Sequence, residues 1–210
     1  MRIANAQLQH DRRDEILSAA QRLFARMGFH QTSMQQICAA AGMSPGNLYR
    51  YFPSKEAIIA GIAERDRAEV ASQFASIENA PDFFATFAAL AHHHFVERTA
   101  DEVGLCAEIM SESRRNPAIA RIMNDFDKDV TVRLTSMLRA AAERGEISRD
   151  IDFDAVVSML MVIADGVWWR RAVEPDFEAK SVLPLFMDIT RYMLVGGGGD
   201  ATDKPGEKSK

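Results

Sequence analysis

Between Ser33 and Ser54 the chain starts, stops and restarts a helix within a span too short for any piece to stand alone. Ser33 has Gln36 three residues on, the spacing of a capping box. The helix it opens runs over about 34–41 and is stopped by Gly42. Ser44-Pro45 then supplies an N-cap followed by proline at the first helical position. That second helix ends near Phe52, where Pro53-Ser54 breaks the chain and Ser54 caps a long helix from Lys55 into the seventies. Helices this short are unstable in water by themselves, so packing must hold them. Ile37 and Leu48 are placed to lock the pair from inside, and Ala39 and Ala40 permit close approach. Gly46, Asn47, Tyr49, Arg50 and Tyr51 are left pointing outward. Polar tips and a guanidinium gain little from a core, whereas an anionic surface can use them.

Two short helices on a tight turn form a helix-turn-helix, whose second helix enters the major groove of DNA. The outward residues suit that task. Gly46 lets backbone approach closely, Asn47 can pair bidentately with adenine, and Arg50 can do so with guanine. The hydroxyls of Tyr49 and Tyr51 can donate to phosphates, which positions a protein without reading sequence. Lys55 adds a charge for a phosphate, and the helix starts at Ser33 and Ser44-Pro45 offer free N–H groups.

Charge supports this placement. The chain carries a net −5, yet residues 1–65 sum to +3 and the remainder to −8. A basic first third on an acidic body points to an anionic partner for the N-terminal part alone.

The rest of the 210 residues reads as all-α, with no run of period-2 alternation. Apolar positions predict a first helix over about 12–27, ended by Gly28. Further helices are expected at about 82–98, 102–114, 117–144, 152–173 and 178–195, about nine in all. Breaks fall at Asn79-Ala80-Pro81, Arg115-Asn116-Pro117, Gly145-Glu146 and Glu174-Pro175, with Asn116 and Asp152 as N-caps. The expected organisation is a flexible arm over 1–10, a DNA-binding unit over 11–54, a regulatory and dimerisation body over 55–195, and a disordered tail over 196–210. No apolar stretch reaches the roughly 20 residues of a membrane span, and the N-terminus lacks a signal peptide's apolar segment. The expectation is a soluble cytoplasmic protein with no membrane partner. Cys38 and Cys106 make neither a disulfide framework nor a metal cluster and read as small buried hydrophobes. For Cys38 a redox switch is a competing reading.

The stretch DEILSAAQRLFARMGFHQTSMQQICAAAGMSPGNLYRYFPSKEAIIAGI resembles the DNA-binding domain of the TetR family of bacterial repressors. The resemblance covers about 11–62. It is carried by Ala20, Phe24, Gly28, Thr32, Ile37, Ala40, Gly42, Leu48, Tyr49, Tyr51, Phe52, Ser54 and Lys55, in register without a gap. Cys38 departs from it, standing where a small apolar residue is more usual. The resemblance implies that Tyr49, Tyr51 and Lys55 touch phosphates and that Gly46, Asn47 and Arg50 face bases. It implies that Thr32 and Ser33 hold the DNA backbone at the start of the second helix.

The body is read from its apolar helices. The helix over 152–173 is apolar nearly all round, so it must be covered on both sides. One side can meet the rest of the subunit and the other a second copy. The expected interface is isologous, with Val156, Leu160, Ile163 and Gly166 beside Val182, Phe186 and Ile189. A homodimer also explains how a short reading helix becomes specific, through two half-sites on a pseudo-palindrome. Phe87, His94, Phe95, Cys106, Met110, Met123, Phe126 and Trp168 are candidates for a cavity wall, although such stripes equally suit plain core. His92, His93 and His94 point about 100° apart on a helix, so they cannot all ligate one metal, and no Glu stands three residues before any of them. Neither a nucleophile paired with a base nor a phosphate loop is visible, so no enzyme and no cofactor is expected. The resulting expectation is a homodimeric repressor released from duplex DNA by a small apolar or aromatic effector. The competing one is a helix-turn-helix regulator without a small-molecule inducer.

Overall fold

The computed structural model describes residues 2–77, 80 and 82–196, apart from the side chains of 2–6, 76, 77 and 196. Among them are nine α-helices and no strand. The first four are α1 (Arg2–Met27), α2 (Met34–Ala40), α3 (Pro45–Tyr51) and α4 (Lys55–Ile77). The body contains α5 (Phe83–His92), α6 (Ala100–Ser113), α7 (Pro117–Glu143), α8 (Phe153–Val173) and α9 (Ala179–Arg191). α5 runs on into a π-helical segment over His93–Glu97, and α9 into another over Tyr192–Gly196. The arm expected over 1–10 is corrected: α1 is already helical at Arg2. The tail expected to be disordered over 196–210 lies outside the described residues from 197 onward, as do Asn79 and Pro81 of the break before α5.

Local chemistry accounts for the short elements. The Ser33 capping box is complete: its N–H donates to Gln36 Oε1 at 2.7 Å, and its hydroxyl accepts from the Gln36 N–H at 3.2 Å. Gly42 takes φ +63°, the left-handed conformation that lets α2 turn into α3. Asn116 and Asp152 cap α7 and α8 as their sequence positions suggest. Thr99 forms a second capping box with Glu102, so α6 begins at Ala100, two residues earlier than read.

Two apolar cores result. In the first, Ile16, Leu17 and Phe24 of α1 enclose Ile37, Leu48 and Phe52 together with Ile58, Ile59 and Ile62 of α4. The reading unit is therefore closed by the first half of α4, beyond the expected boundary at Ser54. The second core joins Phe74 near the end of α4 to Phe83, Phe87, Leu138, Val157 and Phe186 of the body. α6 ties the two together. At Gly104 an added Cβ would stand 3.5 Å from the Ala25 Cβ of α1, so the crossing is close. Glu108 accepts from the Phe29 N–H at 3.1 Å, and the buried Glu112 meets His30 at 2.7 Å.

Candidate nucleic-acid interface and interior cavity

On α3 only Leu48 is buried. Gly46, Tyr49 and Arg50 face outward, with Asn47 half-buried beside them and Ser44 and Pro45 exposed at the helix start. Arg50 has neither an ion pair nor a hydrogen bond among the described residues, so its guanidinium fork is uncommitted. Gly46 is equally telling. A Cβ added there would meet nothing within 4 Å, and its φ is an ordinary one. The fold has no use for a glycine at that position, whereas a surface closing on α3 from outside does. Ser44 makes no side-chain capping bond.

Three expected contacts are altered. Thr32 is buried and its hydroxyl donates to the Gly28 carbonyl at 2.9 Å, so this side chain staples the α1–α2 turn and is withdrawn from the DNA-facing set. Lys55 is half-buried; its ammonium bonds the Phe29 carbonyl and lies 4.3 Å over the Phe29 ring. It joins α4 to that same turn, and a phosphate would have to compete with these contacts. Tyr51 packs part of its ring on the first core, so it serves the fold as well as the surface. Ser33 is exposed, with its hydroxyl held by Gln36. Cys38 is buried and bonded to the Met43 carbonyl, the inert arrangement of a structural thiol.

Behind α4 lies a cavity of about 420 Å³. Phe87, His94, Phe95, Cys106, Met110, Met123, Phe126 and Trp168 all stand on its wall. So do Leu160 and Phe186, which were expected at a subunit interface. That expectation is corrected: both are buried inside the subunit. Val156, Ile163 and Val182 pack partly against the same core, and of the expected interface residues only Gly166 and Ile189 remain on an exposed face. The exposed apolar stripe of α8 is instead Met159, Val162, Trp169 and Val173, with Gly166 on the same line. Leu185, Ile189 and Tyr192 are exposed on and just beyond α9.

The cavity has a polar side that the sequence reading missed. Asp66 of α4, Asp127 of α7 and Asp165 of α8 line it together with Arg98 and Glu102. Burial raises the pKa of all three aspartates; the neighbouring Asp165 adds to the rise at Asp127, while Arg65 and Arg98 offset part of it at Asp66. Cys106 is pushed up to about 12, by burial first and then by the same three carboxylates, so it stays a thiol. The His94 ring is partly buried and lies tilted against Trp168 at 4.7 Å between centroids. Burial, and then the charges of Arg98, His93 and Arg171, hold its pKa at about 4. Trp168 Nε1 and Arg98 Nε are buried with no hydrogen-bond partner. An aspartate in the middle of the apolar stretch MLMVIADGVWW was a sequence signal for this wall.

Comparison with known proteins agrees with both halves of this geometry. Residues 16–62 match the family model described as bacterial regulatory proteins, tetR family. Residues 87–194 match that of the BetI-type transcriptional repressor C-terminal domain. The chain is similar to the HTH-type transcriptional regulator UidR of Escherichia coli (strain K12), at 33% identity over 159 residues, 74% of this chain and 79% of that protein. Salmonella enterica GusR superposes with a TM-score of 0.76 at 29% identity, over 88% of this chain and 95% of that one. A Saccharomonospora viridis transcriptional regulator in complex with choline gives a TM-score of 0.75 over 89% and 98%, and at 23% identity it shares the fold alone. No helix among the described residues is long and apolar enough to cross a membrane.

Proposed function

The chain belongs to the TetR family of bacterial transcriptional regulators, and from that premise we propose that it is a homodimeric repressor released from a palindromic operator by a small molecule bound in the α4–α8 cavity. One observation carries the proposal. The cavity wall includes Ile59, Ile62 and Asp66 of α4, the helix that also closes the core behind α3. A ligand that favours one placement of α4 thereby favours one placement of the reading helix. By linkage it changes operator affinity by its own differential affinity for the two placements, typically about 1–3 kcal/mol. Choline in the Saccharomonospora viridis regulator shows that this fold can hold a small molecule. The proposed cytoplasmic site of action follows from the function.

In this reading Asn47 and Arg50 meet base edges, Tyr49, Ser33 and Ser44 meet phosphates, and Gly46 marks the closest approach. Pairing through the exposed stripe of α8 and α9 sets the spacing of the two α3 helices. The operator is found by selection from random duplexes, and its release by candidate compounds is followed by fluorescence anisotropy. Loss of operator affinity on saturating an occupied cavity supports the proposal; occupancy that leaves affinity unchanged favours a regulator without an inducer.

Two substitutions test the reading helix. Arg50→Ala is expected to cost the operator complex about 1–3 kcal/mol while changing non-specific binding far less. Equal losses on operator and random DNA would make Arg50 a phosphate anchor. Gly46→Ala is expected to leave thermal stability unchanged or to raise it by up to about 1 kcal/mol, because the fold leaves room for the methyl group and alanine suits a helix better. The same methyl group should weaken the operator complex roughly tenfold or more. Undiminished binding would remove Gly46 from the contact surface.

A further inference from the structure

We infer that Glu108 and Glu112 of α6 are positioning residues for operator recognition, a role that rests on the homodimer reading above. They hold the α1–α2 turn at one place on the body and so fix the spacing at which two reading helices meet DNA. Positions 101, 104, 108 and 112 recur at three- and four-residue intervals, so they share one face of α6. Each meets α1 or the turn that follows it. Asp101 lies 3.5 Å from Arg26, and Gly104 crosses at Ala25. Glu108 accepts from the Phe29 N–H, and Glu112 reaches His30. The first pair of contacts fastens α1 itself; the second fastens the turn that leads into α2.

The turn is gripped from both sides at Phe29. Its N–H donates to Glu108 at 3.1 Å, its carbonyl accepts from Lys55 of α4, and its ring is buried against Phe24. Gly28 takes φ +80°, and a Cβ there would stand 3.2 Å from Glu108 Oε2, so this glycine also makes room for the carboxylate. Thr32 closes the turn on the Gly28 carbonyl, and Ser33 starts α2 directly after it. A shift of Phe29 therefore carries α2, and with it α3, which packs on α2 through Ile37 and Leu48. Stability alone does not account for Glu112. Its side chain is 4% exposed, whereas His30 is 64% and Arg115 62% exposed, so a desolvated carboxylate faces partners that stay largely in water. An apolar side chain at such a site commonly serves stability as well or better. What the carboxylate adds is direction, since it meets His30 at 2.7 Å and Arg115 at 3.1 Å. Asn116, just past α6, extends the grip to α4 by donating to Glu56 at 3.2 Å.

The experiment alters the half-site spacing. One base pair inserted between the half-sites of the selected operator moves one of them by about 3.4 Å and turns it by about 35°. By fluorescence anisotropy the full-length wild type should prefer the selected operator to the lengthened one by about 100-fold, the avidity lost when both heads cannot engage together. His30→Ala/Glu108→Ala frees the turn and leaves Glu112 its Arg115 partner. With this variant the preference should fall below about tenfold. Glu108→Gln keeps an acceptor for the Phe29 N–H and should retain the wild-type preference. Equal weakening on both duplexes overturns the positioning role, as does a preference that Glu108→Gln fails to keep. Amide exchange at Phe29, followed by NMR on the free protein, gives a second measurement that needs no DNA. It should be at least about tenfold faster in Glu108→Ala than in wild type or Glu108→Gln, and equal rates overturn the role. Sedimentation separates the two layers. A dimeric wild type whose preference survives in the double variant overturns the positioning role and keeps the homodimer. A monomeric wild type overturns the homodimer and, with it, any spacing for these residues to fix.

Discussion

Val162→Asp should leave the subunit folded and still disable it as a repressor. Val162 is 62% exposed at the centre of the α8 stripe, with Met159 before it and Trp169 after it. On and just beyond α9, Leu185 is 63% exposed and Tyr192 69% exposed. Residues 159, 162, 166, 169 and 173 repeat at the three-and-four spacing of a packed helix seam. An apolar stripe of this kind on a lone subunit marks an interaction surface. Because the side chain already faces solvent, a carboxylate there costs the isolated subunit little, and far-UV circular dichroism should match wild type. Two buried carboxylates facing each other across an isologous seam are another matter. Sedimentation should show a monomer at concentrations where the proposed wild-type pair holds together. Operator affinity should fall by about 10²–10⁴-fold, the advantage lost when two reading heads no longer share one scaffold. A variant that stays dimeric would place the seam elsewhere. A variant that turns monomeric but keeps its operator affinity would show that one α3 suffices.

That seam also shows where sequence reasoning ends. α2 and α3 were legible because stop and start residues, the Ser33 capping box and the paired Ile37 and Leu48 all agree with one geometry. The inward or outward phase of α8 was not. A helix apolar on every side carries no hydropathy signal to say which face meets its own core, and a rotation of about 100° separates Met159 from Leu160. Packing against α6 and α7 turns Leu160 inward and leaves Met159 exposed. The outward face of α3 was legible by residue type, but Thr32 and Lys55 illustrate the limit of that reading. Either could serve a phosphate, and only the close return of the α1–α2 turn shows each engaged inside the domain. The cavity residues were visible as an aromatic and methionine stripe on separate helices. The carboxylates on its rim were not, because Asp66, Asp127 and Asp165 look like ordinary solvated charges until α4, α7 and α8 are brought together.

His94 gives the second large effect, in the dependence of stability on pH. Its folded pKa is near 4, against 6.5 for an ordinary imidazole. As pH falls through 6.5 the unfolded chain takes up a proton that the folded chain refuses, so stability declines. The decline continues until pH reaches about 4, where the folded form is protonated too. Across that window the loss from this one ring is about 3 kcal/mol. The cavity aspartates act with the opposite sign. Their folded pKa values are raised, so protonation as pH falls towards 3.8 restores stability that their charged forms had cost. A plain acid titration would mix the two. His94→Phe separates them, since it keeps an aromatic ring against Trp168 and removes the proton while leaving the aspartates in place. Urea midpoints of wild type and variant, compared at intervals from pH 7 to pH 4.5, should diverge steadily, with wild type losing ground below about pH 6.5. Parallel curves would mean that the ring keeps an ordinary affinity for protons. The chamber would then accept a second positive charge beside Trp168, which the one-sided acidity of its wall alone would have to balance.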